Sequence, residues 1–172
     1  SDLAQQAGVT GSAPYSGDPD SDAANSASAA SAQEQMPPEH QEAYMLAQQG
    51  DYAGAAAAYE KVLEADPNDA RAACERAKAL LLARSANANV REVRAAAADN
   101  PDDVEAQLAV ADIDMIGGQI QDAFDRLLDF VAAGHKADIE PVRKRLLEYF
   151  TIPEPTDERL KRARRRLATL MY

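Results

Sequence analysis

The chain has 172 residues, with 29 acidic against 18 basic side chains and a net charge of −11. That length allows one modest domain with or without a tail. The acidity argues against nucleic acid, which needs a basic face, and the single Cys excludes a disulfide framework and a thiolate zinc site. Alanine dominates the 46% apolar fraction. It is the best helix former and lets backbones approach closely, so composition predicts an all-helical, alanine-packed, cytoplasmic protein. Only two His remain for base or metal chemistry, which leaves little room for catalysis or a cofactor.

Residues 1–38 are mostly Ser, Ala, Gly, Asp, Gln and Pro, with Asp2, Asp18, Asp20, Asp22 and Glu34 and no base. Leu3, Val9, Tyr15 and Met36 are too few large apolar residues to offset the entropy of ordering this stretch. It reads as an acidic linker or disordered tail, weakly helical at most over 27–35. It has no basic start followed by an apolar stretch and is not read as a signal peptide. Nothing in the chain approaches 18 consecutive apolar residues, so no membrane span is predicted.

From Glu39 on the pattern is helical, broken where local chemistry demands it. Gly50-Asp51 separates two apolar-periodic runs. Asp66-Pro67-Asn68-Asp69 stops one helix and offers N-caps for the next; Asn100-Pro101-Asp102-Asp103 does the same, with Asp102 and Glu105 at capping-box spacing. Gly117-Gly118 predicts a turn, Gly134 a helix end, and Asp138 a cap with Pro141 in the following first turn. After the stiff Ile152-Pro153-Glu154-Pro155 break, Thr156 is the expected cap of the last helix. Eight helices are predicted, near 39–49, 53–65, 69–84, 88–98, 103–116, 119–132, 139–150 and 156–171.

Pro67 and Pro101 stand 34 residues apart. With that period, units of 36–69, 70–103 and 104–137 align Ala43 with Ala77 and Ala111, Gly50 with Gly118, Ala55 with Ala123, and Tyr59 with Val93 and Leu127. A 34-residue helix–turn–helix period is the signature of tetratricopeptide repeats. The small residues of the two helices in a unit meet at the crossing, and the bulky one fills the space beside them. The second unit departs: Asn89 stands where the small residue belongs, and Arg84-Ser85-Ala86-Asn87 replaces the Gly turn. The third has His135 in place of Pro. The expected fold is an all-α tetratricopeptide solenoid over 39–172, with helices 139–150 and 156–171 covering its exposed apolar end.

The C-terminal part also resembles the repeat domain of bacterial thioredoxin–tetratricopeptide co-chaperones, the YbbN-like chaperedoxins. The resemblance rests on Asn100-Pro101-Asp102-Asp103-Val104 with Gln107-Leu108-Ala109, on Ala123-Phe124-Asp125-Arg126-Leu127-Leu128, on Arg143-Lys144-Arg145-Leu146-Leu147-Glu148, and on Ala163-Arg164-Arg165-Arg166-Leu167-Ala168-Thr169-Leu170. It implies a protein-binding domain that holds unfolded clients and meets a chaperonin, the last helix being implicated in docking. Residues 1–38 would then link it to a thioredoxin-like domain. No Trp-Cys-x-x-Cys motif occurs, so the family's thiol chemistry attaches to no residue here.

Two surfaces stand out as partner-binding candidates. Residues 156–172 carry a net +4 against −15 for the remainder, with Leu160, Ala163, Leu167 and Leu170 in one stripe. The helix reads as a cap whose stripe packs inward; a sharper reading adds docking through Leu160, Arg164, Arg165, Leu167 and Leu170. The inner groove of a tetratricopeptide stack is lined from positions 2, 5, 9, 12 and 13 of each first helix. Here these include Tyr44, then Cys74, Lys78, Leu81 and Leu82, then Leu108, Asp112, Met115 and Ile116. Leu81, Leu82, Met115 and Ile116 suit unselective apolar binding, or form core under the last two helices. Asp112, Asp114, Asp122, Asp125 and Asp129 are expected to form a solvated face. Cys74 reads as a small half-buried residue, with a reactive thiol as the alternative because Arg71 and Lys78 are near in the helix. A scaffold for one defined peptide partner is the rival reading; an enzyme finds support only in an absent domain.

Overall fold

The computed structural model describes residues 36–172, so the predicted tail falls outside the described residues except for its last three positions. By itself, the short N-terminal unit contributes a single 3₁₀ turn, Pro38–His40. The larger unit is built of eight α-helices: α1 Gln41–Gln48, α2 Tyr52–Ala65, α3 Ala70–Ser85, α4 Val90–Asp99, α5 Val104–Ile116, α6 Ile120–Ala132, α7 Ile139–Tyr149 and α8 Glu158–Met171. No strand occurs among the described residues.

The repeat is visible in the turns before it is visible in the packing. After α1, Gly50 takes φ +83°; its N–H bonds Ala47 O at 3.0 Å and the Asp51 N–H bonds Leu46 O at 2.9 Å. After α5, Gly118 takes φ +79°, with Gly118 N–H on Met115 O at 3.1 Å and Gln119 N–H on Asp114 O at 2.8 Å. Both are glycine-dependent helix stops of the same geometry, because a side chain at these left-handed positions is strained. The proline turns match as well. Asp69 N–H bonds Asp66 O and Asp103 N–H bonds Asn100 O, each at 3.1 Å. Asp69 then caps α3 through Ala72 N at 3.0 Å, and Asp103 caps α5 through Glu105 N at 3.0 Å.

Two expected caps move by one residue. Asp103, not Asp102, caps α5, because the three-residue turn from Asn100 delivers Asp103 to the helix start. Asp157, not Thr156, caps α8 through Arg159 N at 2.8 Å. The irregular second unit has a local cause. Without a Gly stop, α3 runs on to Ser85, and α4 opens only at Val90. Asn89 therefore serves as N-cap, accepting from Glu92 N at 3.1 Å, rather than as a crossing residue.

Of the positions aligned by the 34-residue spacing, Ala43, Ala77, Ala111, Ala55 and Ala123 are buried, as are Tyr59 and Leu127, while Val93 is half-buried. Helix α2 lies on α3, α4 on α5, and α5 on α6; α3, α5 and α7 each touch the other two, and α8 packs on α6. The apolar content is uneven along the chain. Around α1 to α3 the core is Ala43, Ala58, Tyr59, Val62 and Ala72, with a second small cluster of Ala55, Ala56 and Ala79. The main core draws on α3 and α5 to α8, with Phe124, Leu127, Leu128, Val142, Leu146, Tyr149, Phe150, Leu160 and Leu167. Phe124 and Phe150 meet edge-to-face at 5.3 Å.

Large side chains stabilise by about 1.5–3 kcal/mol each on full burial, and alanine by much less. Native-state hydrogen exchange is therefore expected to show faster amide exchange across α1 and α2 than across α6. Ala77→Leu should overpack a helix crossing and cost about 1–3 kcal/mol in chemical denaturation. A variant with the parent's midpoint would mean that the 34-residue register misplaces Ala77.

Candidate functional site

The groove positions singled out by the repeat frame do not face solvent as a set: α7 lies across them. Arg145 of α7 donates to Leu108 O at 3.4 Å and to Asp112 at 2.9 Å. Leu81, Leu108 and Met115 share the main core with Val142, Leu146 and Tyr149 of α7. Further along, the turn after α7 runs beside α3: Thr151 Oγ1 donates to Ala73 O at 3.2 Å, and Cys74 Sγ lies 3.8 Å from Ile152 O. The inner face of the second and third repeats is thus occupied by the chain's own helix.

Asp112 holds this arrangement. It was expected on a solvated face but is 3% exposed. Arg84 of α3 grips it with two bonds of 2.9 Å, one from Nε and one from Nη2. Arg145 donates to Oδ2 at 2.9 Å, and the Tyr149 hydroxyl donates to Oδ1 at 2.6 Å. Arg84 also reaches Glu148 of α7 at 2.6 Å. One carboxylate therefore ties α3, α5 and α7. Burial alone would lower the Arg84 pKa, but the bonds to Asp112 and Glu148 outweigh it and hold the group above its ordinary value. Burial and the Asp112 charge push the Tyr149 hydroxyl up, which keeps it a donor.

Asp114, on the other side of α5, also departs from the expected solvated face at 2% exposed. Arg94 of α4 bonds it at 2.8 Å, and Arg126 of α6 stands at 3.8 Å while donating to Gln107 Oε1 at 2.9 Å. Gln107 in turn donates to Ala97 O at 3.2 Å. These residues floor an open groove of about 1020 Å³ between α4 and α6, rimmed by Asp102, Asp122, Asp125 and Asp129. His135 stacks on Phe130 at 4.1 Å and meets Asp102 at 3.2 Å, closing the third unit where Pro was expected.

The candidate residues therefore divide. Leu81, Met115, Leu160 and Leu167 lie in the core, and Leu170 is half-buried against it. Tyr44 and Leu82 are half-buried, Ile116 is 44% exposed, and Lys78 is exposed beside Glu75 at 3.6 Å. Burial pushes the Cys74 thiol pKa up, against the pull of nearby Lys78, which favours the protonated, unreactive form. On α8, Arg159 and Lys161 pair with Asp157 and Glu158, while Arg162 reaches Gln121 at 3.2 Å and Arg166 reaches Asp129 at 2.6 Å. Arg164 and Arg165 are exposed and have no carboxylate partner among the described residues; Arg164 rests over the Phe150 ring at 5.9 Å. No described helix is long and apolar enough to cross a membrane.

Eight α-helices with no strand among the described residues, joined by matching glycine and proline turns, make a helical repeat solenoid, a class that generally binds proteins. The tetratricopeptide repeat model matches residues 83–172, and the chain belongs to that family. Uncharacterized proteins of Mycobacterium bovis and Mycobacterium tuberculosis are each 31% identical over 126 residues, 72% of this chain. The chain spans 40% of the length of these curated relatives. No solved structure gives a significant match.

Removing the Asp112 carboxylate leaves Arg84 and Arg145 facing each other without their shared anion. Asp112→Ala is expected to destabilise the domain by about 1–3 kcal/mol, read from urea midpoints, because Arg145 and the Tyr149 hydroxyl lose their acceptor while Arg84 keeps Glu148. A loss below about 1 kcal/mol would show that Asp112 does not tie these helices together.

Proposed function

We propose that this chain is the protein-binding part of a cytoplasmic thioredoxin-like co-chaperone, with unfolded clients and a chaperonin as partners and no catalysis of its own. Residues 1–38 act as the linker to the thioredoxin-like domain in this reading, and 39–172 form the binding domain. The observation that carries it is the outer face of α8. Leu160, Ala163 and Leu167 anchor the helix, and four of its six bases are already paired or hydrogen-bonded. Arg164 and Arg165 remain as exposed cations without an acidic partner among the described residues. An anchored helix that presents guanidinium groups without carboxylate partners suits docking on an acidic protein surface.

One observation favours the rival reading, a scaffold for a single defined partner. The inner groove is filled by α7, which removes the open apolar trough that unselective client holding would use. Client binding then falls to surfaces outside the groove.

The test uses charge reversal, since deleting 156–172 would also remove core residues. Arg164→Glu combined with Arg165→Glu should leave the melting temperature within a few degrees of the parent and reduce chaperonin capture at least tenfold. Unchanged capture by the folded variant would refute docking through α8. Retained chaperonin capture without suppression of client aggregation would favour the single-partner scaffold.

A further inference from the structure

The turn between α7 and α8 leaves a cleft that the fold does not fill. Its volume is about 480 Å³, and it lies between the first half of α3, the end of α7, the 151–155 turn and the start of α8. Phe150 and Leu160 are its buried apolar residues; Ile152 and Pro153 are half-buried, and Leu147 is 46% exposed. The cleft is preformed. Thr151 and Ile152 are tied to α3 through Ala73 and Cys74, and Pro153 and Pro155 restrict the backbone of the turn. A volume of this size admits one or two large side chains without rearrangement.

Charge decides what those side chains are attached to. Arg71 and Arg164 line the cleft, and neither has a carboxylate partner among the described residues. Arg164 sits over Phe150, which places its cation at the apolar surface. Lys144 is exposed one turn before Leu147 on α7. Glu154 is the acid in the lining, so the local balance is positive on a helical body that is otherwise strongly acidic. A segment bearing carboxylates beside a bulky apolar residue gains on both counts, whereas a basic segment is repelled by the two arginines.

We propose that this cleft binds an acidic protein segment carrying Leu or Phe, with the apolar side chain between Leu147, Phe150 and Ile152 and the flanking carboxylates on Arg71 and Arg164. The proposal is independent of the co-chaperone reading: it names a site and a partner chemistry, and it stands if α8 never meets a chaperonin.

The chain has one cysteine, Cys74, and it lines the cleft, so its alkylation reports occupancy. The probe is a fluorescent peptide with two adjacent leucines flanked by aspartates, and the control replaces the aspartates with lysines. Anisotropy should show saturable binding of the acidic peptide only, and that peptide should slow maleimide labelling of Cys74 at mildly alkaline pH. Arg71→Glu with Arg164→Glu, and separately Leu147→Asp, should each weaken binding at least tenfold. A control with the same change of charge, Lys61→Glu on α2 with Arg91→Glu on α4, should leave it unchanged. The proposal is overturned by equal binding of the lysine peptide, by binding that leaves Cys74 labelling unaltered, by parent-like affinity in both cleft variants, or by no binding.

Discussion

A single carboxylate, Asp112, determines how this solenoid closes. It lies on the third repeat's first helix at a position that faces ligand in open tetratricopeptide stacks, and here it is met by Arg84 from α3 and by Arg145 and Tyr149 from α7. A buried carboxylate is tolerable only when opposite charge and hydrogen bonds replace its lost hydration. Four donor contacts from three side chains supply them, and Glu148 balances the second guanidinium face of Arg84. The geometry of these partners sets the separation of α3, α5 and α7, and it brings α7 directly against α3.

The division of apolar residues follows from that closure. Where α7 and α8 return over the stack, large side chains have surfaces on several sides to bury against, and the main core gathers Phe124, Leu127, Leu146, Tyr149 and Phe150. Around α1 to α3 the contacts are made largely by alanine, which permits close crossings but buries little area per residue. Cohesion is therefore expected to be greatest near the filled groove and least at the first repeat. Filling the groove also transfers recognition to the rim. Surfaces that remain available among the described residues include the outer edge of α8, the cleft by the 151–155 turn, and the acid-rimmed groove between α4 and α6.

The repeat was legible because it rests on local rules. Gly50 and Gly118, the two proline turns and the alanines of the crossings each announce themselves by residue type at fixed spacing, and all eight helices lie within a few residues of their expected places. Shifts at Asp103 and Asp157 arise because adjacent candidates can all cap, and only turn geometry chooses between them. Asp112 and Asp114 depart from the solvated face for a different reason. Alternating acids on a helix resemble a solvated face, and their arginines come from positions 12 to 33 residues away. Nothing local marks Arg84 and Arg145 as partners. The cleft was equally hidden, since it exists only where the end of α7, the Pro-containing turn and α3 converge.

Charge segregation gives these surfaces a common logic. Composition alone suggests one acidic surface of −11, yet the acids and bases are used in separate ways. On α8, Arg162 and Arg166 bind Gln121 and Asp129 of α6, while Arg159 is held by the cap Asp157 and Lys161 by Glu158 of the first turn. The nominal +4 of this segment is thereby narrowed to a small patch around Arg164 and Arg165. Arg164 also lines the apolar cleft. An approaching acidic partner is repelled by the net charge of the body and attracted at this patch, and such contrast orients encounter more than it adds to final affinity. Affinity must come from apolar burial next to that patch, where Leu147 and Ile152 stand beside two guanidinium groups that the chain leaves without carboxylate partners among its described residues.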